Sequence, residues 1–303
     1  MGTRIVVVVV VAALAIAACS RDASPPSVTD DRTITVASFD FPESELIADL
    51  YVGALRGAGF EVTHERRIGS REVVLPALQL GLVEVVPEYS GSVVEFLGGH
   101  SSADAATVDR TLAQLVAPRG IDALAPSRAQ SRNGLVVTSK TAAELSLRSI
   151  SDLHDVADTL TLGGPVECPD RDLCLRGFRG TYGLMFDSFL PLDAGGPITA
   201  EAVQRGTVDV GVLFTSDGSL AEHDLVLLRD DRELQPVEQV TPLVGREAVE
   251  RFGREMVEAL DSVSAELTTS DLRTLNATVA DGLDPEAAAA GWLDQHGLAE
   301  PVG

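Results

Sequence analysis

Tyr89, Ser90 and Ser92 bring an aromatic ring and two hydroxyls together in the stretch VPEYSGSVVEFL (Val86–Leu97). The valines and Pro87 before them predict the end of a buried strand, and the residues after them predict a helix. Strand ends and helix N-termini are where α/β proteins commonly contact small ligands. A ring face attracts an apolar or cationic group, whereas hydroxyls and free amides at a helix N-terminus attract a carboxylate. We therefore interpret this turn as part of a ligand-binding site.

A similar stretch recurs 125 residues later in the chain. PALQLGLVEVVPEYS (Pro76–Ser90) aligns without gaps on EAVQRGTVDVGVLFT (Glu201–Thr215), so that Tyr89 falls on Phe214 and the following serine on Thr215. This repeat predicts two α/β lobes of similar build, in which Tyr89 and Phe214 end equivalent strands and face a cleft from opposite walls. The alternative is that both rings are core residues and that the serine after Tyr89 only caps a helix.

Hydrophobic periodicity predicts alternating strands and helices in the first part of the chain. Thr33–Ser38 is a predicted strand, and Asp40 and Glu43 have the spacing of a capping box for the helix that follows. Further strands are predicted in FEVTHE and VEVV, with a helix in SREVVLPALQLG between them. This β-α-β-α-β order predicts α/β lobes with mainly parallel sheets covered by helices.

The composition excludes several classes of function. The chain of 303 residues carries a formal net charge of −23, which argues against nucleic acids and anionic membrane surfaces as partners. The same charge favours neutral or cationic ligands. The sequence has no Gly-x-Ser-x-Gly, His-Glu-x-x-His or phosphate-loop motif, so we expect neither an enzyme nor a bound cofactor.

The N-terminus has the features of an export signal. An apolar run from Ile5 to Ala18 follows a basic residue and is shorter than the about 20 residues that span a bilayer. The run ends in IAAC, which resembles a bacterial lipobox. We therefore expect residues 1–18 to be a signal peptide, Cys19 to be lipidated, and residues 19–32 to form a flexible tether outside the cytoplasmic membrane. The alternative is an ordinary signal peptide with an incidental cysteine.

Two further cysteines, Cys168 and Cys174, are separated by five residues in CPDRDLC. Thiols tend to oxidise outside the cytoplasm, and the proline of this stretch favours a tight turn. We therefore predict a structural disulfide between them. A metal site would need more ligands at matching spacing, and the five histidines are scattered, so no metal is expected.

Seven segments of the chain, taken in order, resemble one known family. They are ASFDFPESELIADLY, GSREVVLPALQLGLVEVVPEYSGS, LTLGGPVECPDRDLCLRGFRGTYGL, LDAGGPIT, VDVGVLFTSDGSL, LTTSDLRTLNATV and WLDQHGL. Together they span about Thr33 to Leu298 and resemble the osmoprotectant-binding lipoproteins of ABC importers, the glycine betaine/choline/carnitine class. The resemblance implies a type II-like periplasmic-binding-protein fold, with two lobes joined by two crossover segments.

The expected crossovers divide the chain into two lobes. They fall near Leu135–Ser139 and Gln239–Leu243. Lobe 1 is then expected to comprise residues 33–137 and 241–303, and lobe 2 residues 138–240.

The resemblance also implies which residues contact the ligand. Tyr89 matches the tyrosine and Ser92 the last threonine of the family's PEYTGT segment, and Phe214 matches the aromatic residue at the end of a second-lobe strand. Arg171 lies where a polar anchor from lobe 2 is expected. The alternatives for that anchor are Arg176 and Arg179, or a solvated role for all three.

The chain departs from the family pattern at two places. Phe39 replaces a lysine that the family often has, and residues 233–240 lack the aromatic residues usual in that segment. Either Phe39 and Phe41 complete a different aromatic cage, or the ligand is not a simple trimethylammonium compound. Three acidic residues near the expected cleft mouth either meet a cation or serve only for capping and solvation: Asp40, Glu43 and Glu88.

These features imply a monomeric receptor that performs no chemistry. It would capture an osmoprotectant-like quaternary ammonium ligand between the lobes, close on a hinge and deliver the ligand to the permease subunits of an ABC importer. One alternative is a ligand-sensing or scaffold lipoprotein with the same fold. Another is a receptor for a non-betaine ligand, such as a small aromatic compound.

Overall fold

The computed structural model describes residues 33–222 and 224–299. The predicted signal peptide, tether and lipidated Cys19 lie outside the described residues, as do residues 300–303 of the predicted lobe 1. Within the described residues, no helix is both long enough and apolar enough to cross a lipid bilayer.

The described chain contains ten strands and eleven α-helices. The strands are β1 (Thr33–Ala37), β2 (Glu61–Glu65), β3 (Val85–Tyr89), β4 (Ile121–Ala123), β5 (Asn133–Thr138), β6 (Thr161–Pro165), β7 (Ser188–Leu192), β8 (Val210–Phe214), β9 (Leu225–Leu227) and β10 (Val240–Gly245). The helices are α1 (Pro42–Gly57), α2 (Arg71–Gln79), α3 (Ser90–Phe96), α4 (Ala105–Val116), α5 (Ser139–Glu144), α6 (Leu175–Tyr182), α7 (Pro197–Gln204), α8 (Ser219–Glu222), α9 (Arg246–Glu266), α10 (Thr269–Ala280) and α11 (Pro285–His296). Short 3₁₀ helices lie at Ala117–Arg119, Ile150–Leu153, Ala157–Thr159 and Cys168–Asp170.

These elements form two lobes, each built on one sheet. The strand order is β2-β1-β3-β10-β4 in lobe 1 and β7-β6-β8-β5-β9 in lobe 2. In both sheets the first three strands run parallel to one another. The fourth strand pairs antiparallel with the third, and the fifth pairs antiparallel with the fourth. The predicted two-lobed α/β class is therefore confirmed, and each sheet is mixed, with its parallel part confined to three strands.

The predicted internal repeat is confirmed by the positions of equivalent elements. Strands β3 and β8 begin and end exactly 125 residues apart and close with Tyr89 and Phe214. Gly81 and Gly206, which precede these strands, have φ values of 66° and 69°. That left-handed conformation favours glycine, which explains why the glycine belongs to the repeat.

Strand pairing places the crossovers differently from the prediction. β5 pairs with β8 and β9, so the strand Asn133–Thr138 belongs to the sheet of lobe 2. The predicted boundary between residues 137 and 138 and the predicted crossover at Leu135–Ser139 cut through that strand. The apolar run of β5 gives no sign of which sheet it joins, because either sheet would bury it. At the second crossover, β10 already pairs with β3 from Val240 onwards. The first crossover is therefore residues 124–132, between β4 and β5, and the second is residues 228–239, between β9 and β10.

Helix α1 packs across lobe 1. This packing fixes the N-terminal end of the helix, which lies nearest lobe 2. Its apolar stripe is fully buried, including Leu46, Leu50 and Tyr51, and it packs against α9 and α11. Burial of one such side chain contributes about 1.5–3 kcal/mol. This packing holds the first turn of α1 in place at the junction of the lobes.

The predicted disulfide is confirmed. Cys168 and Cys174 are bonded, with their Cα atoms 5.1 Å apart. The bond closes a short loop of lobe 2 that contains Arg171.

Residues of the second crossover pack against the N-terminus of α3 and form hydrogen bonds with it. The Glu238 carboxylate accepts hydrogen bonds from the backbone amide and the hydroxyl of Ser92, at 3.0 and 2.6 Å. The amide of Ser90 donates to the carbonyl of Gln239 at 3.0 Å, and a Cβ atom on Gly91 would lie 2.6 Å from the Val237 carbonyl oxygen. Our expectation of free amides for a ligand carboxylate is therefore wrong. A buried helix end needs hydrogen-bond partners, and the protein's own chain supplies them.

The Glu238 carboxyl is an unusual acid because it is buried. Burial raises its pKa from 4.5 to about 7, although the hydrogen bonds from Ser92 and the charge of Arg71 act in the opposite direction. Between these two values the folded state keeps a proton that the unfolded chain has lost. The stabilising contribution of this group is therefore present below about pH 4.5 and is lost as the pH rises through 7.

We expect Glu238→Gln to remove this loss, because glutamine stays neutral at every pH. Between pH 5 and pH 8, the free energy of unfolding of the wild type should fall by up to about 3 kcal/mol more than that of the variant. Urea unfolding at a series of pH values measures this difference. Glu255→Gln, at an exposed position of α9, is the control and should follow the wild type. If the free energies of unfolding of the wild type and Glu238→Gln changed equally with pH, the raised pKa of Glu238 would be contradicted.

Candidate ligand-binding site

A cavity of about 600 Å³ lies between the two lobes. Lobe 1 contributes residues 39–41, 67, 69–71, 89, 92, 95 and 96 to its lining. Lobe 2 contributes residues 133, 165–168, 170–174, 176, 192–194 and 214, and residue 131 lies just before β5. Its volume is in the range of sites that hold small molecules. The carboxyl ends of β1, β3, β7 and β8 meet at this cavity, as expected for ligand sites in α/β sheets.

Four aromatic rings form a cluster at the cavity, which we call the aromatic cluster: Phe39, Phe41 and Tyr89 of lobe 1 and Phe214 of lobe 2. Phe41 is central, with ring centroids 5.9 Å from Phe39, 6.1 Å from Tyr89 and 5.4 Å from Phe214. All four rings line the cavity. The cluster can therefore offer ring faces and edges from both lobes to one ligand group.

We expected Tyr89 and Phe214 to face each other from opposite walls of the cleft. The two rings instead lie next to each other. Their ring centroids are 6.4 Å apart and their planes are inclined by 22°. A cation held between two parallel rings would separate the centroids by roughly 8 Å or more, because it lies about 4–6 Å from each. Phe41 packs against both rings and brings them into one continuous aromatic wall. A cationic group therefore has to contact this wall from its cavity side.

Tyr89 is both a cavity residue and a core residue. Its side chain is only 7% exposed and packs in the main core of lobe 1. Its hydroxyl donates to the Glu43 carboxylate at 2.9 Å. Burial and the neighbouring Glu43 charge raise the pKa of Tyr89 well above its usual value. The phenol is therefore neutral and held in a fixed orientation.

Glu43 does not form the predicted capping box with Asp40. The N-cap of α1 is Phe41, and no side chain caps it. Glu43 instead accepts hydrogen bonds from three residues, Tyr89, Ser216 and Asn276, the last at 2.6 Å. Asp40 turns to the surface and pairs with Arg67. Glu43 does not cap the helix because the buried hydroxyl and amide groups around it need a hydrogen-bond acceptor.

Two arginines reach the cavity from different lobes. Arg71 of lobe 1 forms a two-pronged ion pair with Glu88, with both N–O distances 2.8 Å, and lies over the Phe96 ring. Arg171 of lobe 2 pairs with Glu72 of lobe 1 and lies 5.3 Å from the Phe96 ring centroid. The disulfide loop of lobe 2 thereby contacts α2 across the cavity mouth.

Acidic side chains outnumber basic ones in the cavity lining. The basic residues are four arginines: Arg67, Arg71, Arg171 and Arg176. The acidic residues are six carboxylates: Asp40, Glu95, Glu167, Asp170, Asp172 and Asp193. Each of these arginines is paired with a carboxylate of the protein. The lining therefore favours a cationic group over an anionic one.

Six of the eight residues that we predicted as ligand contacts line the cavity: Phe39, Asp40, Tyr89, Ser92, Arg171 and Phe214. The other two do not. The Ser90 hydroxyl is buried against Val237 and Gln239 of the second crossover. The Thr215 hydroxyl accepts a hydrogen bond from the amide of Arg132 in the first crossover. In both repeats the hydroxyl after the aromatic residue holds a crossover segment rather than facing the cavity.

Several residues of the site were missed or misread in the sequence, and three of them matter most for its chemistry. Arg71 and Phe96 line the cavity, but they have no counterpart in the repeat and no distinguishing spacing. Glu88 is buried under Arg71 rather than lying at the cavity mouth. The signal for Glu88 is its place in a mostly apolar strand that is buried along its whole length. A charged residue at such a position requires a partner of opposite charge.

Ser38, His64 and Asp49 lie in the hydrogen-bond order of an acyl-transfer triad. His64 Nε2 is 3.1 Å from Ser38 Oγ, and His64 Nδ1 is 2.8 Å from Asp49 Oδ1. Ser38 is fully buried and its Oγ also accepts the amide of Arg67, so a substrate has no access to it. These bonds tie β1 and β2 to α1 and have a structural role. Within the described residues, no group of three His, Cys, Asp or Glu side chains is placed to hold a metal ion.

The chain is similar to curated glycine betaine-binding proteins. It is 27% identical over 271 residues to the glycine betaine-binding protein YehZ of Escherichia coli K12, covering 84% of this chain and 88% of that protein. It is 26% identical over 279 residues to a glycine-betaine-binding protein of Pseudomonas aeruginosa, covering 88% of each. These alignments span most of both chains.

Solved structures share the fold. A crystal structure of a glycine betaine/carnitine/choline ABC transporter superimposes with a TM-score of 0.70 at 21% identity, over 88% of this chain and 99% of that chain. Apo YehZ from Escherichia coli superimposes with a TM-score of 0.63 at 26% identity, with the same coverage. Residues 32–295 match the family described as the substrate binding domain of the ABC-type glycine betaine transport system. Because this match covers most of the sequence, the chain belongs to that family of substrate-binding domains.

Proposed function

We propose that the protein is an extracytoplasmic, lipid-anchored receptor that binds a small quaternary ammonium compound between its lobes and delivers it to an ABC importer. The observation that carries this proposal is the aromatic cluster, to which both lobes contribute, in a cavity lined by more carboxylates than arginines. Aromatic ring faces bind quaternary ammonium groups because such cations have no N–H donors and are weakly hydrated. The relatives named for glycine betaine support the same class of ligand.

The arrangement of the lobes supports a capture mechanism without chemistry. Ligand contact with lobe 1 rings and with Phe214 favours the conformation in which the two lobes meet. Arg171 and Glu72 add an ion pair across the cavity mouth in that conformation. The closed pair of lobes then presents one joint surface to the permease, and the protein works as a monomer.

The aromatic cluster generates the first functional prediction. Phe214→Leu removes one ring and should lower the affinity for choline or glycine betaine about 2-fold to 30-fold, since one ring contributes about 0.5–2 kcal/mol. Isothermal titration calorimetry measures the affinity, after a thermal-shift screen of choline, glycine betaine, carnitine, ectoine and polyamines selects the ligand. Phe41→Leu should act in the same direction.

Phe60→Leu is the matched control for these ring deletions. Phe60 is half-buried and packs edge-on against Phe252, at 5.9 Å between ring centroids, and neither residue lines the cavity. We expect this variant to bind the ligand like the wild type. Equal affinity of the wild type and Phe214→Leu, or no binding of any quaternary ammonium compound by the wild type, would contradict the proposal.

The proposed lipid anchor is tested at Cys19, which lies outside the described residues. In a bacterial host that processes lipoproteins, the wild type should incorporate labelled palmitate and sediment with membranes. Cys19→Ser should do neither, because the acylated sulfur is absent. Ser20→Ala, at the neighbouring position, is the control and should remain membrane-bound. Palmitate labelling of Cys19→Ser would show that the anchor lies elsewhere.

A further inference from the structure

We propose that Glu43 determines the specificity of the cavity for a cation, acting through Tyr89 without touching the ligand. This inference rests on the proposed function, that the ligand carries a quaternary ammonium group. It assigns the preference for positive charge to one buried carboxylate behind the aromatic cluster. The aromatic rings then provide shape and contact, and Glu43 provides the charge.

Glu43 is a buried carboxylate without a positive partner. It is 3% exposed, and among the described residues no arginine, lysine or histidine forms an ion pair with it. Two other buried carboxylates nearby are neutralised by arginines: Glu88 by Arg71, and Asp49 by Arg66. Burying a carboxylate in this way is costly, so its retention at the edge of a ligand cavity requires a reason.

Three side chains donate hydrogen bonds to the Glu43 carboxylate. Tyr89 and Asn276 donate to its two oxygens, at 2.9 and 2.6 Å, and the Ser216 hydroxyl donates as well. The donors are all neutral, so they stabilise the negative charge without cancelling it.

The Glu43 carboxylate lies at the hydroxyl end of a ring that lines the cavity. Tyr89 Oη contacts Glu43, while the Tyr89 ring lines the cavity beside Phe41 and Phe214. A cation on the cavity side of this ring would lie about 8 Å from the carboxylate. With an effective dielectric constant of about 20, the attraction at that distance corresponds to about thirtyfold in affinity. The four cavity arginines do not offset it, because each is paired with a carboxylate of its own.

A purely structural role for Glu43 predicts a different behaviour. Glu43 joins Tyr89 of lobe 1 to Ser216, which follows Phe214 by two residues in lobe 2. If it only held the rings in place, its replacement would weaken cationic and neutral ligands of the same shape equally. If it supplies charge, its replacement would weaken the cationic ligand alone.

The test compares ligands that differ only in a nitrogen replaced by carbon. Choline is paired with 3,3-dimethylbutan-1-ol, and glycine betaine with 3,3-dimethylbutanoate, and affinities are measured by titration calorimetry. We expect Glu43→Gln to lower the choline affinity about tenfold or more and to change that of the neutral alcohol less than twofold. Glu45→Gln is the matched control. It removes a glutamate of the same helix that pairs with Arg66, and it should bind choline like the wild type.

The double variant Glu43→Gln/Asn276→Asp exchanges the carboxylate and the amide between two residues in contact. It should recover most of the preference for choline over the alcohol, and it keeps the test decisive if Glu43→Gln alone does not fold. The inference is overturned if Glu43→Gln weakens both members of a ligand pair equally or binds choline unchanged, or if the double variant lacks the preference. If the wild type binds none of the quaternary ammonium compounds, the proposed function itself fails.

Discussion

The hydrogen bonds that Glu43 accepts from Tyr89 and Ser216 join the two lobes at the base of the ligand cavity. The rest of the site depends on this junction. It holds Tyr89 in orientation, Phe41 packs against both Tyr89 and Phe214, and the Glu43 carboxylate lies at the hydroxyl end of the Tyr89 ring. A buried carboxylate with only neutral donors costs stability, and the proposed preference for a cationic ligand gives a reason for its retention.

The internal repeat explains why the junction lies where it does. Strands β3 and β8 are equivalent, and each ends in an aromatic residue at the carboxyl edge of its sheet. When two such sheets face each other, both aromatic residues point to the same crevice. The hydroxyl that follows each ring then binds a crossover segment, Ser90 to the second and Thr215 to the first. One local pattern, used twice, thus positions both the rings and the connections between the lobes.

The sequence predicted what depends on local pattern and repetition. The strand ends, Tyr89 and Phe214, the disulfide and the two-lobed class follow from spacing, composition and resemblance. The partners of Glu43 could not be predicted, because Tyr89, Ser216 and Asn276 are 46, 173 and 233 residues away. The same limit applies to β5, whose apolar run fits either sheet, and to Glu238, which fills a helix N-terminus that we had assigned to a ligand carboxylate. In each case a long-range partner overrode a local signal.

The most direct test of the account is a structure of the protein with bound choline. We expect the choline nitrogen to lie within about 6 Å of the Phe214 ring centroid and of at least one lobe 1 ring, Tyr89, Phe41 or Phe39. Glu43 should keep its hydrogen bonds to Tyr89 and Ser216 in the complex. A choline molecule bound to one lobe alone, or away from the aromatic cluster, would contradict the account.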